Sequence, residues 1–312
     1  MRIGIDLGGT NIAAAIVGDD GGIIKRAAVR TVTDGSASAV IDGLLSVCET
    51  LAGNGTVPQS IGIGVPGTVN SETNMIAFTP NLPLSGVNVA EDIRKKYGCP
   101  VFIGNDANCA ALGETIAGGA KGARDVVFIT LGTGVGGGLI IGGKLYTGTN
   151  GVAGELGHMV IISGGRECGC GRKGCWERYA SASGLKETAV EFMGAHKGSK
   201  LWELCGGRTD RINGHVVFEC FRAGDEAARL TVERFVEHLA AGVVSVINIL
   251  EPELFCVGGG ISNAWDCIEG PLIAAVEAEK LTRFSKDMPQ TRITRAQLGN
   301  DAGIIGAAML ST

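Results

Sequence analysis

The sequence predicts an α/β chain built as two related lobes, and three observations carry that expectation. Length is the first: 312 residues exceed the usual single domain, and 45 % hydrophobic against 19 % charged residues suffice for a large core. The second is the alternation of short β-branched runs with stretches of helical periodicity. The third is an internal repeat, in which DVVFITLGTG replays the opening MRIGIDLGGT. At an offset of 124 residues, Ile5, Leu7 and Gly8 align with Ile129, Leu131 and Gly132.

The chain opens on a meander, with residues 2–7, 11–17 and 23–30 as strands between glycine turns at Gly8-Gly9 and Gly18 to Gly22. Over residues 36–53, Val40, Ile41, Leu44, Leu45, Val47 and Leu51 recur at helical spacing, and Gly53-Asn54-Gly55 ends the helix. IGIGVPG and PVFIGND read as strands, followed by a helix from Ala107 to Ile116 that Gly118-Gly119 stops. The second copy again runs strand, glycine turn, strand. After it come a long helix near residues 226–250, the strand LFCVGGG, a helix near 264–281 and a last helix from Asn300. On this reading residues 1–117 with 299–312 form a small amino-terminal lobe and residues 118–298 a large one.

Composition excludes several classes. Glycine is over-used, 51 residues or about 16 %, but with 8 prolines and no three-residue period the chain is not collagen-like. Its 27 basic and 32 acidic residues give net −5 with no basic block, which disfavours nucleic acid as a partner. Asp6 interrupts the first apolar run before a signal-peptide core forms. Residues 126–143 approach the length of a membrane span, yet seven of them are glycine, so no membrane partner is expected. Ten cysteines without an export signal point to the reducing cytosol, where clustered cysteines serve as metal ligands.

Asp6-Leu7-Gly8-Gly9-Thr10-Asn11 offers a turn through which backbone N–H groups can approach phosphate. A Cβ there would hold the phosphate off, and most side chains resist positive φ. Asp6 supplies a metal anchor and Thr10 a hydroxyl. A lone turn of this kind fits a tight hairpin equally well; the second copy at Gly132, Thr133 and Gly134 shifts the balance toward paired phosphate sites. Thr130 stands where Asp6 does, so only the first turn can carry Mg²⁺. Two such turns fit a nucleoside triphosphate clamped between lobes. Gly132, Gly134 and Gly137 also match G-x-G-x-x-G, but a dinucleotide fingerprint needs a helix straight after its glycines, and LIIGGKLYTG reads as a strand.

VFIGNDANCAALGE delivers Asn105 and Asp106 to the point where a helix begins. Asp106 suits the carboxylate that accepts the attacking hydroxyl's proton in phosphoryl transfer, and equally suits a plain helix cap. His158, Cys168, Cys170 and Cys175 form H-x9-C-x-C-x4-C with Gly169, Gly171 and Gly174 interleaved, a Cys₃His set suited to tetrahedral Zn²⁺. Four protein ligands leave no place for water, so that zinc is structural. Glu155 lies within a turn of His158 and Glu177 just past Cys175. Together they make a rigid polar patch suited to sugar hydroxyls, or simply two solvated glutamates. Cys48, Cys99, Cys109, Cys205, Cys220, Cys256 and Cys267 read as core residues, and His196, His215 and His238 as surface or core histidines.

IGIDLGGTN, TPNLPL, GNDANCAALGE, LGTGVGGGLIIGGKLYTG, NGVAGELGHM, CGCGRKGCWERYAS, CVGGGIS and LGNDAGIIGAA together resemble the ROK family of sugar kinases and sugar-responsive repressors, its bacterial glucokinases above all. The resemblance spans nearly the whole chain. It implies an actin-like, ribonuclease-H-like two-lobed fold that transfers phosphate from ATP to the 6-hydroxyl of a hexose. It makes Asp106 the catalytic base, with Gly67, Asn81, Asn105, Glu155, His158 and Glu177 around the sugar. Asp6, Gly8, Gly9, Thr10, Gly132, Thr133 and Gly134 would surround the phosphates and Mg²⁺, and Gly258, Gly259 and Gly260 would flank the adenosine. Leu84 stands where these glucokinases often carry tryptophan. Fructose, mannose or an N-acetylhexosamine is the alternative acceptor. The family's repressors carry a helix-turn-helix module ahead of the first glycine turn, whereas here that turn begins within ten residues of Met1, which favours a kinase. Members are often homodimers or homotetramers, and a cytoplasmic enzyme is expected.

Overall fold

The structure is a computed structural model that describes residues 1–32, 35–53, 57–70, 73–285 and 287–311. The helix stop expected at Asn54-Gly55 lies outside the described residues. The fold is α/β with two mixed five-stranded sheets.

β1 (Arg2–Leu7), β2 (Asn11–Val17) and β3 (Ile23–Arg30) form the opening meander, paired antiparallel. α1 (Ala37–Ala52) follows. Ser36 caps it by accepting the Ala39 N–H at 3.3 Å, and its face of Val40, Leu44, Val47 and Leu51 packs into one core with Ile3, Ile5, Ile61 and Ile63. β4 (Ser60–Val65) adds to β1 in parallel. A small ribbon of β5 (Thr68–Asn70) and β6 (Met75–Phe78) and the helix α2 (Val89–Tyr97) lead to β7 (Val101–Asn105), which pairs in parallel with β4. α3 (Asp106–Ala117) then leaves the sheet edge.

β8 (Val126–Leu131), β9 (Val135–Ile141) and β10 (Lys144–Tyr146) repeat the strand and glycine-turn pattern. α4 (Glu177–Ala180), α5 (Ala182–Ala195), α6 (Lys200–Leu204), α7 (Gly214–Arg222) and the long α8 (Glu226–Leu250) follow. β11 (Leu254–Gly258), α9 (Trp265–Glu279), β12 (Arg292–Arg295) and α10 (Asp301–Ala308) complete the order. The sheets run β3-β2-β1-β4-β7 and β10-β9-β8-β11-β12. With strands numbered by chain order inside each sheet, both read 3-2-1-4-5.

The chain divides into two compact units, residues 1–128, 137–154 and 296–312 in the first and residues 129–136 and 155–295 in the second. Residues 118–128 and 137–154, which sequence reading assigns to the large lobe, thus belong to the first unit. The reason is close packing: β9 meets α3 so tightly that a Cβ on Gly138 would lie 2.5 Å from the Ala111 Cβ. Residues 296–298 join the first unit because the fully buried Glu114 carboxylate accepts the N–H groups of Gln297 (3.0 Å), Leu298 (2.8 Å) and Gly119 (2.7 Å). α10 is seated by glycines on three neighbours. A Cβ on Gly4, Gly62 or Gly113 would lie 1.9, 1.7 or 2.2 Å from a carbonyl oxygen of α10.

Candidate functional site

In the first unit, parallel register builds the acidic centre. Asp6 on β1 pairs with Gly64 on β4, and Gly64 with Gly104 on β7, so Asp6 and the residues that follow β7 end at the same edge of the sheet. There Asn105, not Asp106, caps α3: its Oδ1 accepts the Asn108 N–H at 3.0 Å. Asp106 is the first helical residue, and its Oδ1 accepts the adjacent Ala107 N–H at 2.9 Å. The Asn105 Nδ2 donates to the Gly67 carbonyl at 3.0 Å, which ties the loop after β4 to this edge. Gly67 has φ 138°, and a Cβ there would strike the Phe78 carbonyl oxygen at 2.1 Å, so only glycine fits.

Burial, reinforced by the neighbouring Asp106 charge, pushes the Asp6 carboxyl up to about 6. The first turn of α10 comes within van der Waals reach, since a Cβ on Gly303 would sit 3.4 Å from the Asp6 Cγ. A pocket of about 650 Å³ opens here, lined by Asp6, Gly8, Gly9, Thr10, Arg26 and Asp301 among others. Arg26 is held by Asp301 through paired contacts of 2.5 and 2.8 Å. A carboxylate raised by burial beside a second acid fits a divalent cation, whose charge would relieve both penalties. Gly8 N–H closes the turn on the Asn11 carbonyl at 3.0 Å. Neither Gly8 nor Gly9 has positive φ, so handedness is not what the turn requires. Nothing stands within 4 Å of a Cβ on Gly9, which leaves its outer side open. Asn81 is exposed on a loop that Thr79 ties down by its hydroxyl to the Leu82 carbonyl at 2.6 Å. Leu84, by contrast, is fully buried in the core.

In the second unit, Glu155 precedes a short 3₁₀ turn, Leu156–His158, that points both residues the same way: Glu155 Oε2 is 3.9 Å from His158 Nε2. The other imidazole nitrogen, Nδ1, faces Cys168 Sγ at 3.7 Å and Glu177 Oε1 at 3.6 Å. Cys170 Sγ lies 3.6 Å from Cys175 Sγ, and one ligand atom from each of the four residues falls within 4.8 Å of every other. Tetrahedral zinc with bonds of about 2.0–2.3 Å has ligand-to-ligand edges of about 3.3–3.8 Å; the His158–Cys168 and Cys170–Cys175 pairs fall in that range, and the four donors suit the ion in type. Gly171 and Gly174 have φ 87° and 84°, as the tight fold of the loop requires. Trp176 anchors the loop: its ring lies against α8, where a Cβ on Gly242 would be 2.0 Å away, and its indole N–H donates to the His238 carbonyl at 2.9 Å. The seven other cysteines are buried.

Gly132 N–H closes the second glycine turn on the Gly134 carbonyl at 3.0 Å, and a Cβ on Gly134 would fall 2.5 Å from Glu177 Oε2. The zinc-type cluster, Glu177 and the turn therefore form one contiguous group. An apolar groove of about 780 Å³ lies beside it, lined by Gly132, Thr133, Ala182, Phe218, Gly260 and Ile261 among others. Gly260 reaches this groove, whereas Gly258 is buried in β11 and Gly259, at φ 83°, packs 2.4 Å from the Leu131 nitrogen when given a Cβ. Sequence reading missed the wall from α7 and the Arg26–Asp301 pair. The apolar periodicity of α7, with Val217, Phe218 and Cys220 buried, was the available signal for the first; nothing local marks the second.

Among the described residues no helix is long and apolar enough to cross a membrane. The family model described as the ROK family matches residues 2–312. The chain is 37 % identical over 313 residues to a glucokinase of Streptomyces coelicolor, covering 100 % of this chain and 97 % of that one. It is 33 % identical over 325 residues to an N-acetyl-D-glucosamine kinase of Escherichia coli, covering 99 % of each. It superposes with a TM-score of 0.82 on the crystal structure of a ROK family glucokinase from Streptomyces griseus in complex with glucose and AMPPNP, at 35 % identity and covering 99 % of this chain and 98 % of that one. A whole-length match of this kind, on top of the glycine turns and the Cys₃His cluster, means that the chain belongs to the ROK family.

Proposed function

We propose that this chain is an ATP-dependent glucokinase that converts glucose to glucose 6-phosphate. The observation that carries the reading is the pairing of Asp106, at the start of a helix that Asn105 caps, with the half-buried Asp6 beside a glycine turn. The glucokinase relatives support glucose as the acceptor. In this reading Asp106 accepts the proton of the 6-hydroxyl as its oxygen attacks the γ-phosphorus; the new O–P bond forms while the bridging bond to ADP breaks. Gly67, Asn81, Asn105, Glu155, His158 and Glu177 orient the sugar. Fixed acceptors at several hydroxyls hold the 6-hydroxyl in line, which is most of what such a reaction asks of a protein.

Backbone N–H groups of Gly9, Thr10, Thr133 and Gly134 take phosphate oxygens, while the N–H groups of Gly8 and Gly132 are spent on closing the two turns, and Gly260 with the apolar groove takes the adenosine. Asp6 would hold Mg²⁺, which supplies positive charge to offset the phosphates. His158, Cys168, Cys170 and Cys175 would hold Zn²⁺, which supplies rigidity to the sugar patch and no open coordination position. The shared strand order of the two sheets supports internal duplication and an actin-like fold. The same reading places the enzyme in the cytosol as a homodimer or homotetramer.

An N-acetylhexosamine kinase is the second reading, favoured by the 33 % identity to the N-acetyl-D-glucosamine kinase. A panel of glucose, mannose, fructose and N-acetylglucosamine with ATP decides. The highest kcat/KM is expected for glucose, and a higher value for N-acetylglucosamine would install the second reading.

A further inference from the structure

The second glycine turn is secured by an element other than the strands that carry it. Ser183 Oγ donates to the Thr133 carbonyl at 2.8 Å, and Ala182 N–H donates to the Gly132 carbonyl at 2.8 Å. Both donors sit in the first turn of α5, whose capping residue Ser181 is fully buried and accepts the Gly184 N–H at 3.1 Å. This helix start is in turn rooted in the Cys₃His cluster, because α4 begins at Glu177, two residues past Cys175, and ends directly before Ser181. Glu177 itself fills the space that a side chain on Gly134 would need.

The consequence follows from peptide geometry. In a planar trans peptide the C=O and the next N–H point in opposite directions. With the Gly132 and Thr133 carbonyls both drawn onto α5, the N–H groups of Thr133 and Gly134 are aimed away from it. They form a pair of adjacent donors of the kind that binds an anion. The direction of these donors is therefore set by two hydrogen bonds from α5, of which one comes from a side chain that substitution can remove.

We propose that Ser183 is a positioning residue for the nucleotide phosphates: by holding the Thr133 carbonyl it aims the Gly134 N–H. This rests on the reading that the turn takes phosphate. Ser183→Ala, purified with zinc content equal to the wild type, is titrated calorimetrically with AMPPNP and magnesium, and separately with glucose. Nucleotide Kd is expected to rise about fivefold to tenfold, the worth of one such hydrogen bond, with glucose Kd changed less than twofold. Ser183→Thr, which keeps the hydroxyl, restores most of the nucleotide affinity. Unchanged nucleotide Kd in Ser183→Ala overturns the proposal, as does an equal loss of glucose affinity, which would mean general loosening. If the wild type itself binds no nucleotide, it is the phosphate reading of the turn that fails.

Discussion

At the first glycine turn, Gly8 closes on Asn11 and a half-buried carboxylate, Asp6, stands two residues before it. At the second, Gly132 closes on Gly134, Thr130 occupies the matching place, and α5 grips the tip from outside. Both turns leave backbone N–H groups to present, and both follow the first strand of a sheet ordered 3-2-1-4-5. What surrounds them differs. The first is electrostatic, with two acids at one sheet edge; the second is mechanical, with a serine, a glutamate and a metal-type cluster behind it. One backbone device has thus been fitted to two tasks, handling charge and holding geometry, and substitutions on the two sides should fail in different ways.

The largest effect is expected on the electrostatic side. Asp106→Ala should lower kcat by about 10²–10⁴-fold while glucose Kd stays within a few-fold, because the proton acceptor acts in the transition state. A loss confined to KM would move Asp106 to sugar binding. Next comes Asp6, whose folded carboxyl titrates near 6, above the ordinary value of 3.8. The folded chain holds the extra proton between these values, so this group's stabilising contribution is complete below about pH 4 and is lost as pH rises through about 6. Asp6→Asn should therefore be more stable than wild type by roughly 3 kcal/mol at pH 8 without added magnesium, and the gap should close toward pH 4. Parallel Tm curves across that window would remove Asp6 as the source.

A smaller effect is expected on the mechanical side. Cys175→Ser should lose bound zinc, measured by metal analysis, and weaken glucose binding about 10-fold to 100-fold through the released Glu177 and His158. Retained glucose affinity in metal-free protein would uncouple the cluster from the sugar patch. Ser183→Ala, with its fivefold to tenfold loss in nucleotide affinity alone, is the mildest break and the most selective.

The sequence and the structure agree where the signal is local. The meander, α1, α8 and the Cys₃His cluster are written in alternation, helical spacing and ligand spacing, each confined to a short window. α2, α7 and the β5/β6 ribbon escaped because short elements offer few periods to recognise. The proximity of Asp6 to Asp106 escaped for another reason: it depends on the parallel register of three strands far apart in the chain. Glycine shows both sides of this. Gly9 and Gly132 leave open space where a ligand could approach, but Gly4, Gly62 and Gly113 serve α10, whose backbone lies against theirs, and Gly259 serves the packing of β11 against Leu131. A sequence reveals that glycine is present and not which neighbour excludes the side chain. Glu114, fully buried and holding three backbone N–H groups, reads in sequence as an ordinary helix-face acid.

The central claim is that Asp106 activates the 6-hydroxyl of glucose toward ATP. It is tested most directly by ³¹P NMR of a mixture of wild-type protein, glucose, ATP and magnesium beside the same mixture with Asp106→Ala. The account predicts glucose 6-phosphate and ADP in equal amounts from the wild type and, over the same interval, almost none from the variant. Phosphorylation at another position, or undiminished 6-phosphate from the variant, would contradict it.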